Sequence, residues 1–499
     1  MSESHEELVR QWGLHRQRGR RHLPLPLWWA LWALLLGAIG FAVWVAVQPH
    51  PWRPPRGRPA FAVCTSADGI AGWCARVAVP LDPSLPHGRT IALRVLVLPA
   101  TERPAVGALF YLEGGPAVAA TDSAARVNEL LAAVGRDRDL VLVDERGTGG
   151  SSAPSCQGGG VLTRDAAAAV AYLRFCFAAL GDDARLYTTS VAADDLDAVR
   201  RTLGYGPVDL YGVSYGATLA QVYLARHPRS VRSAVLDGGS LLGVRVFDAS
   251  ARDAERALDA DLGRCAAVQD CARAFPRTRR ELDELLARPP RRVTIEIGTF
   301  TIGPDDVAWT VNALSQSAEG AGTIPFVVHA AAHGNYLPLA RDFADEVGRG
   351  LGPRSRLATY WEILCSEPWA AFDPAATARA GTGSYLAHAA AGRARFFRAA
   401  CAGVPKGRVG REQRSPRASQ APVLILAGGA DPLDPPAAVR GWRGAFPHGR
   451  LVVVPFAAHG TLEYPCVQGL VARFVAAGRA AGLDASCVRR MTPPAFVTG

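Results

Sequence analysis

The sequence predicts an α/β fold: a mostly parallel central sheet covered by helices, split by an inserted, mainly helical cap and preceded by one N-terminal transmembrane helix. Three observations carry this reading. Between Ala75 and Gly239, apolar β-branched runs of strand length alternate with helical patterns, and strands apolar on both faces belong to sheets covered on both sides. From Leu241 to Ser419 the pattern turns to charged, alanine-rich segments of helical type. Strand signals return only beyond that stretch, in "APVLILAGGAD" and "RLVVVPFAAHG".

In chain order, residues 1–26 read as a basic tail with Arg10, Arg16, Arg18, Arg20 and Arg21, and residues 27–47 as an anchor. The stretch Leu27 to Val47 carries no charge, and at ~1.5 Å per residue it spans a hydrocarbon core of ~30 Å. Trp28, Trp29 and Trp44 stand near its ends, and the preceding arginines predict a cytoplasmic amino terminus, so the expected location is a single-pass membrane protein facing outward. The alternative is a cleaved signal peptide and a secreted protein, but such apolar regions are shorter and no A-x-A site follows Val47. Residues 48–59, "QPHPWRPPRGRP", form a Pro/Arg linker. Residues 60–240 then make the first part of the core, 241–419 the cap, and 420–499 the returning part of the core.

Strand-length runs start at Ala75, Ile91, Ala108, Leu140, Val208 and Ser233. A helix is read from Ala192, Leu196, Val199 and Leu203, and a hairpin within the cap from "RRVTIEIGTFTIG". The formal charge of +10 comes from arginines interleaved with acids, as in "RTRRELDELLARPPRR", which reads as a solvated helix face. No nucleic-acid partner is expected. All ten cysteines follow the apolar stretch and form close sequential couples: Cys64 with Cys74, Cys156 with Cys176, Cys265 with Cys271, Cys365 with Cys401, and Cys466 with Cys487. Their spacings do not match zinc sites, and local bridges of this kind contribute roughly 2 to 4 kcal/mol each.

The chemistry centres on Gly212-Val213-Ser214-Tyr215-Gly216, a G-x-S-x-G pattern after a strand-like run and before a helix-like one. Its glycines permit a strained turn that exposes the serine hydroxyl, and the helix start supplies backbone N–H groups. A nucleophilic serine needs a base and an acid that orients the base, in the chain order Ser, acid, His for such a fold. Asp431, closing "VLILAGGAD", and His459, after "LVVVPFAA", stand at strand ends. Asp434 is the rival acid, read instead as a helix cap. His329, His333 and His388 in the insertion and His448 in a turn are given core or surface roles. "YLEGGPA" places a glycine turn after a strand, so the Gly115 and Tyr215 N–H groups are the expected oxyanion hole.

Together "LEGGPA", "VDERGTGGSS", "LYGVSYGATLAQVYLARHP", "AGGADPLDPP" and "AAHG" resemble the α/β-hydrolase branch of proline iminopeptidases and tripeptidyl aminopeptidases, with its TAP-like carboxyl-terminal module, from Val63 to Phe496. The resemblance implies an α/β-hydrolase fold and a serine exopeptidase acting on free peptide amino termini beneath a helical cap, with no cofactor. Two positions depart from it: Ala117 replaces a glycine after the GGP, which reshapes the oxyanion loop, and Glu145 replaces a glutamine with little expected effect. Arg146 reads as a structural bridge between loops. Holding a substrate ammonium requires carboxylates, for which Glu367 in "CSEPW" and Glu113 are the candidates. The rival readings are an esterase or lipase-like enzyme of small or cell-envelope esters, and a non-catalytic binding protein on the same frame.

Overall fold

The computed structural model describes residues 59–152, 166–351 and 357–498. The chain divides into two compact units, Met1–Pro51 and Trp52–Gly499, and everything described below lies in the second.

Nine strands form the main sheet: β1 Ala62–Thr65, β2 Ala71–Pro80, β3 Thr90–Leu98, β4 Gly107–Leu112, β5 Arg138–Val143, β6 Val208–Val213, β7 Val231–Asp237, β10 Val423–Gly428 and β11 Gly449–Val454. Their order is β1-β2-β3-β5-β4-β6-β7-β10-β11. The first three strands run antiparallel and β3 pairs antiparallel with β5, whereas every pair from β5 to β11 is parallel. A separate antiparallel hairpin, β8 Arg291–Ile295 and β9 Gly298–Ile302, stands where the cap hairpin is expected. β1 had no sequence signal. Its four residues bury little, and it is held by pairing with β2 and by the Cys64–Cys74 bridge.

β5 and β10 are buried at every position because helices cover both faces of the sheet. On one face Val199, Leu219 and Val222, from helices Thr189–Leu203 and Tyr215–Arg226, pack on Phe110, Val141 and Leu210. On the other, Val127, Leu470 and Phe474, from helices Ala124–Leu130 and Pro465–Ala477, pack on Leu109, Leu142 and Leu426. The chain steps from β4 outward to β5 and then returns to the far side of β4 as β6. This reversal opens a crevice at the carboxyl ends of β4 and β6, where such sheets bind ligands.

Between β7 and β10 the described chain is helical apart from the hairpin and connecting turns. It carries two apolar clusters of its own. Leu258, Leu282, Val311, Ile324, Val328 and Leu339 build one. Trp361, Leu364, Trp369 and Phe397 build the other, joined by Leu173 and Phe177 of helix Ala166–Leu180. That helix precedes β6 and was assigned to the core; it packs with the cap because its apolar residues meet the Trp361 and Phe397 rings. Disulfides join Cys64 to Cys74, Cys265 to Cys271, Cys365 to Cys401 and Cys466 to Cys487. The expected partner of Cys176, Cys156, lies outside the described residues.

The expected anchor is corrected. Among the described residues no helix is long and apolar enough to cross a membrane. The stretch 27–47, its basic tail and the linker through residue 58 lie outside the described residues. The membrane-spanning element, the membrane partner and the single-pass location thus have no support among the described residues, whose fold is the sheet with its helical cap.

Candidate active site

Ser214 follows β6 and immediately precedes helix Tyr215–Arg226, with φ 55° and ψ −122°. This is a backbone conformation that L residues rarely adopt, and it persists only where neighbours enforce it. The flanking glycines let the turn close. A Cβ on Gly212 would lie 2.2 Å from the Gly216 carbonyl oxygen, and one on Gly216 would lie 2.1 Å from that of Leu112. The turn lifts the Ser214 hydroxyl above the ends of β4 and β6.

His459 Nε2 lies 2.8 Å from Ser214 Oγ, and His459 Nδ1 lies 3.0 Å from Asp431 Oδ2. Asp431 is fully buried, and its other oxygen accepts the backbone N–H groups of Leu433 and Asp434 at 2.8 and 2.9 Å. A carboxylate held by two amides cannot swing away, so it fixes the imidazole and makes Nδ1 the protonated nitrogen. Burial disfavours the imidazolium of His459, but the charge and hydrogen bond of Asp431 outweigh it, with Asp434 and Asp237 adding to them, and its pKa is pushed up. Asp434 bonds the Ser240 hydroxyl and is itself raised to about 6, chiefly by burial.

His459 follows β11 and must reach past β10 and β7 to meet a serine after β6. Gly238 permits the crossing, since a Cβ there would fall 2.9 Å from the Gly460 nitrogen and 3.5 Å from His459 Nδ1. Asp237, at the end of β7, then accepts the Thr461 N–H at 2.9 Å and the Thr461 hydroxyl at 2.9 Å, tying down the loop two residues beyond the imidazole. The cap grips the same loops. Arg256 of helix Ser250–Ala267 donates to the carbonyls of Gly429 at 2.7 Å and Asp431 at 2.6 Å, and the Gln316 carbonyl accepts the His459 N–H at 3.1 Å. Neither Asp237 nor Arg256 was singled out from sequence. Asp237 closes β7, a strand the sequence marks, whereas Arg256 has no signal beyond lying in a helical segment rich in charge.

The loop after β4 lies against the serine: a Cβ on Gly114 would fall 3.3 Å from Ser214 Cβ and 3.9 Å from its Oγ. The Gly114 N–H is taken by Glu113 Oε1 at 2.7 Å. Gly115 has φ +129°, and Ala117, where the resemblance expects glycine, sits at φ +65° in the left-handed region, a cost of about 1–2 kcal/mol. Tyr215 is the first residue of its helix, where an N–H has no intrahelical acceptor.

The two expected ammonium partners are placed differently. Glu367 is buried, and both its oxygens are occupied: Oε1 accepts the Thr189 N–H, and Oε2 the Thr189 hydroxyl and the Trp369 indole N–H, each at 2.7 Å. It fastens the cap to the start of helix Thr189–Leu203, whereas the sequence offered it as a partner of the substrate ammonium. Glu113 is partly exposed beside the Gly114–Gly115 turn, and burial chiefly raises its pKa. Glu145 stands where the resemblance expects glutamine. It is buried with an oxygen 3.4 Å from the Tyr215 hydroxyl, and burial, with Glu367 and Glu113 nearby, pushes it up to about 8 and so favours its protonated form. Arg146 bridges loops: it pairs with Asp195 through two 2.7 Å bonds and donates to the carbonyls of Leu81 and Leu186.

Comparison with known proteins agrees with this architecture. Residues 107–272 match the alpha/beta hydrolase fold family, and residues 388–487 match the family described as TAP-like protein. Serine protease Hip1 of Mycobacterium tuberculosis is 29% identical over 262 residues, covering 47% of this chain and 50% of that protein. Tripeptidyl aminopeptidase of Streptomyces lividans is 32% identical over 185 residues, covering 33% of this chain and 34% of that protein. The matched stretches thus span half or less of the length of these curated relatives. A solved proline iminopeptidase from Mycobacterium smegmatis aligns over 81% of this chain and 98% of its own, at 17% identity and a TM-score of 0.41. The chain is an α/β-hydrolase-fold protein with a TAP-like carboxyl-terminal domain, related at low to moderate identity to serine peptidases and aminopeptidases.

Proposed function

We propose that the protein is a serine hydrolase that cleaves peptides from their free amino termini through an acyl-enzyme. The observation that carries this reading is the continuous hydrogen-bonded line from Asp431 through His459 to Ser214. Ser214 Oγ attacks the acyl carbonyl carbon while His459 Nε2 takes its proton. The carbonyl oxygen becomes an oxyanion beside the N–H groups of Gly115 and Tyr215, donors already oriented and worth several kcal/mol to the transition state. His459 then gives its proton to the departing amine, and the C–N bond breaks. Water repeats the sequence on the ester, and Ser214 recovers its proton from His459. Asp431 stays ionised throughout and holds the imidazole.

Preference for peptides is supported by the names of the relatives and by a cap that meets the loops bearing Asp431 and His459. Glu113 is the carboxylate assigned to the substrate ammonium in this reading, since it is the accessible one beside the oxyanion turn. Labelling by a fluorophosphonate probe, lost in Ser214→Ala, tests the nucleophile. Mass spectrometry of a peptide library tests the substrate class: new amino termini appearing one to three residues from the original ends are expected. Hydrolysis of short acyl esters with every peptide left intact would instead establish the esterase reading.

A further inference from the structure

The cap brings together three side chains that the hydrolase reading leaves unused. His329 lies near the end of helix Ala318–Ala332, His333 is the residue that ends it, and Glu281 comes from helix Thr278–Leu286. One nitrogen of each histidine and one oxygen of Glu281 lie within 4.8 Å of one another. We infer that this trio is a binding site for a divalent transition metal of the zinc type.

The argument rests on how each ligand is held. His329 Nδ1 is 3.1 Å from both oxygens of Glu281, close to the edge of a ligand tetrahedron built from metal bonds of about 2.0–2.2 Å. His333 Nδ1 donates to the His329 carbonyl at 2.9 Å. A carbonyl can only accept, so the lone pair of neutral His333 resides on Nε2. Metal-bound histidines are commonly oriented in this way, by a second ring nitrogen donating to a backbone carbonyl. His333 Nε2, the nitrogen left to bind, has no hydrogen-bond partner among the described residues. The two rings stand 4.2 Å apart, as a His-x-x-x-His pair on one helix face should. Glu281 is buried while His333 is exposed, so the site has a fixed inner ligand and an outer one that adjusts by rotating its side chain. Two imidazoles and a carboxylate suit zinc and its first-row neighbours better than magnesium or calcium.

From sequence, His329 and His333 are given core or surface roles and no metal is expected, on the ground that no CxxC or HxxxH accompanies the cysteines, which overlooks that His329 and His333 are themselves such a pair. The His-x-x-x-His spacing was legible, but its third ligand is 48 positions away on another helix. Gln316, whose carbonyl holds the His459 N–H, lies 13 residues before His329, about 20 Å along a helical path. A metal at the far end therefore clamps helix Thr278–Leu286 to helix Ala318–Ala332 within the cap and takes no part in the reaction.

The test is titration of the metal-stripped, untagged full chain with Zn²⁺ alone, by calorimetry, alongside His333→Ala and Glu281→Gln. His333 is exposed and bonds only its own helix, so its removal leaves the fold intact. The wild-type protein is expected to bind one equivalent more tightly than His333→Ala by at least about tenfold, and Zn²⁺ is expected to raise its melting temperature but not that of the variant. Equal stoichiometry and affinity in wild type and His333→Ala, or no Zn²⁺ uptake by the wild type, would overturn the site.

Discussion

Two groups of buried carboxyls flank β6, and they contrast in what surrounds them. On the β10 and β11 side, Asp431 and Asp434 face the His459 imidazole, and Asp431 is further held by two backbone amides. On the β4 and β5 side, Glu145 and Glu367 meet hydroxyls, an indole and an amide, while the nearby Arg146 is committed to Asp195. The first group shares its charge with a base and raises that base's proton affinity. The second has no cation to share, so burial drives its members toward the protonated form, Glu145 most visibly. Both sides carry buried acids; the imidazole offsets part of the burial on one side, where Asp434 is raised to about 6, and without it Glu145 is pushed up to about 8.

The largest expected effect breaks the charged side outright. Asp431→Asn keeps the shape but leaves Nδ1 without its acceptor, and kcat is expected to fall by about 10³–10⁴ in steady-state assays, with Ser214→Ala at background. Arg256→Ala removes the cap's hold on the Gly429 and Asp431 carbonyls. We expect kcat to drop by roughly tenfold to a hundredfold with KM little changed, because the relay is displaced while the substrate cleft is not. A loss confined to KM would show that Arg256 serves the substrate.

Asp434→Asn tests the electrostatics more finely. Activity requires neutral His459, so the rate rises as pH passes through the raised imidazole pKa. Removing one nearby negative charge lowers that pKa, and the ascending limb of kcat/KM is expected to move to lower pH by about one unit. An unmoved limb would mean that Asp431 alone sets the base.

On the uncharged side the expected effect is smaller and appears in stability. Glu145 has a folded pKa raised from 4.5 to about 8. Its contribution is therefore fully present below the unfolded value and lost as pH rises through about 8. Glu145→Gln, a neutral replacement of the same shape, should melt with the wild type at pH 5 and several degrees above it at pH 9, with activity at pH 7 within about twofold. Equal melting curves at pH 9 would mean that Glu145 is ionised and paired.

Much of this was legible along the chain because local patterns specify local structure. The G-x-S-x-G turn, the strand-closing Asp431 and the histidine after "LVVVPFAA" could be picked out by position alone, since strands of one parallel sheet end at one rim. The hairpin at Arg291 to Ile302 was equally local. The role of Glu367 was not legible: "CSEPW" offers a carboxylate in the cap, but Thr189 and Trp369 close around it only when the cap meets the core. Nor was the packing of helix Ala166–Leu180, because an alanine-rich apolar pattern states that a face is buried and not against what.

By itself the sequence determined the alternation of strands and helices, the place of the insertion and the residue types of the relay, because periodicity and turn chemistry act over a few neighbouring residues. Only the tertiary structure decided which carboxyl groups burial pushes toward the protonated form, how Asp237 and Arg256 hold the loops at His459 and Asp431, and that Glu281 meets two histidines. Those outcomes depend on burial and on distances between segments far apart in the chain, which packing creates and no local pattern records.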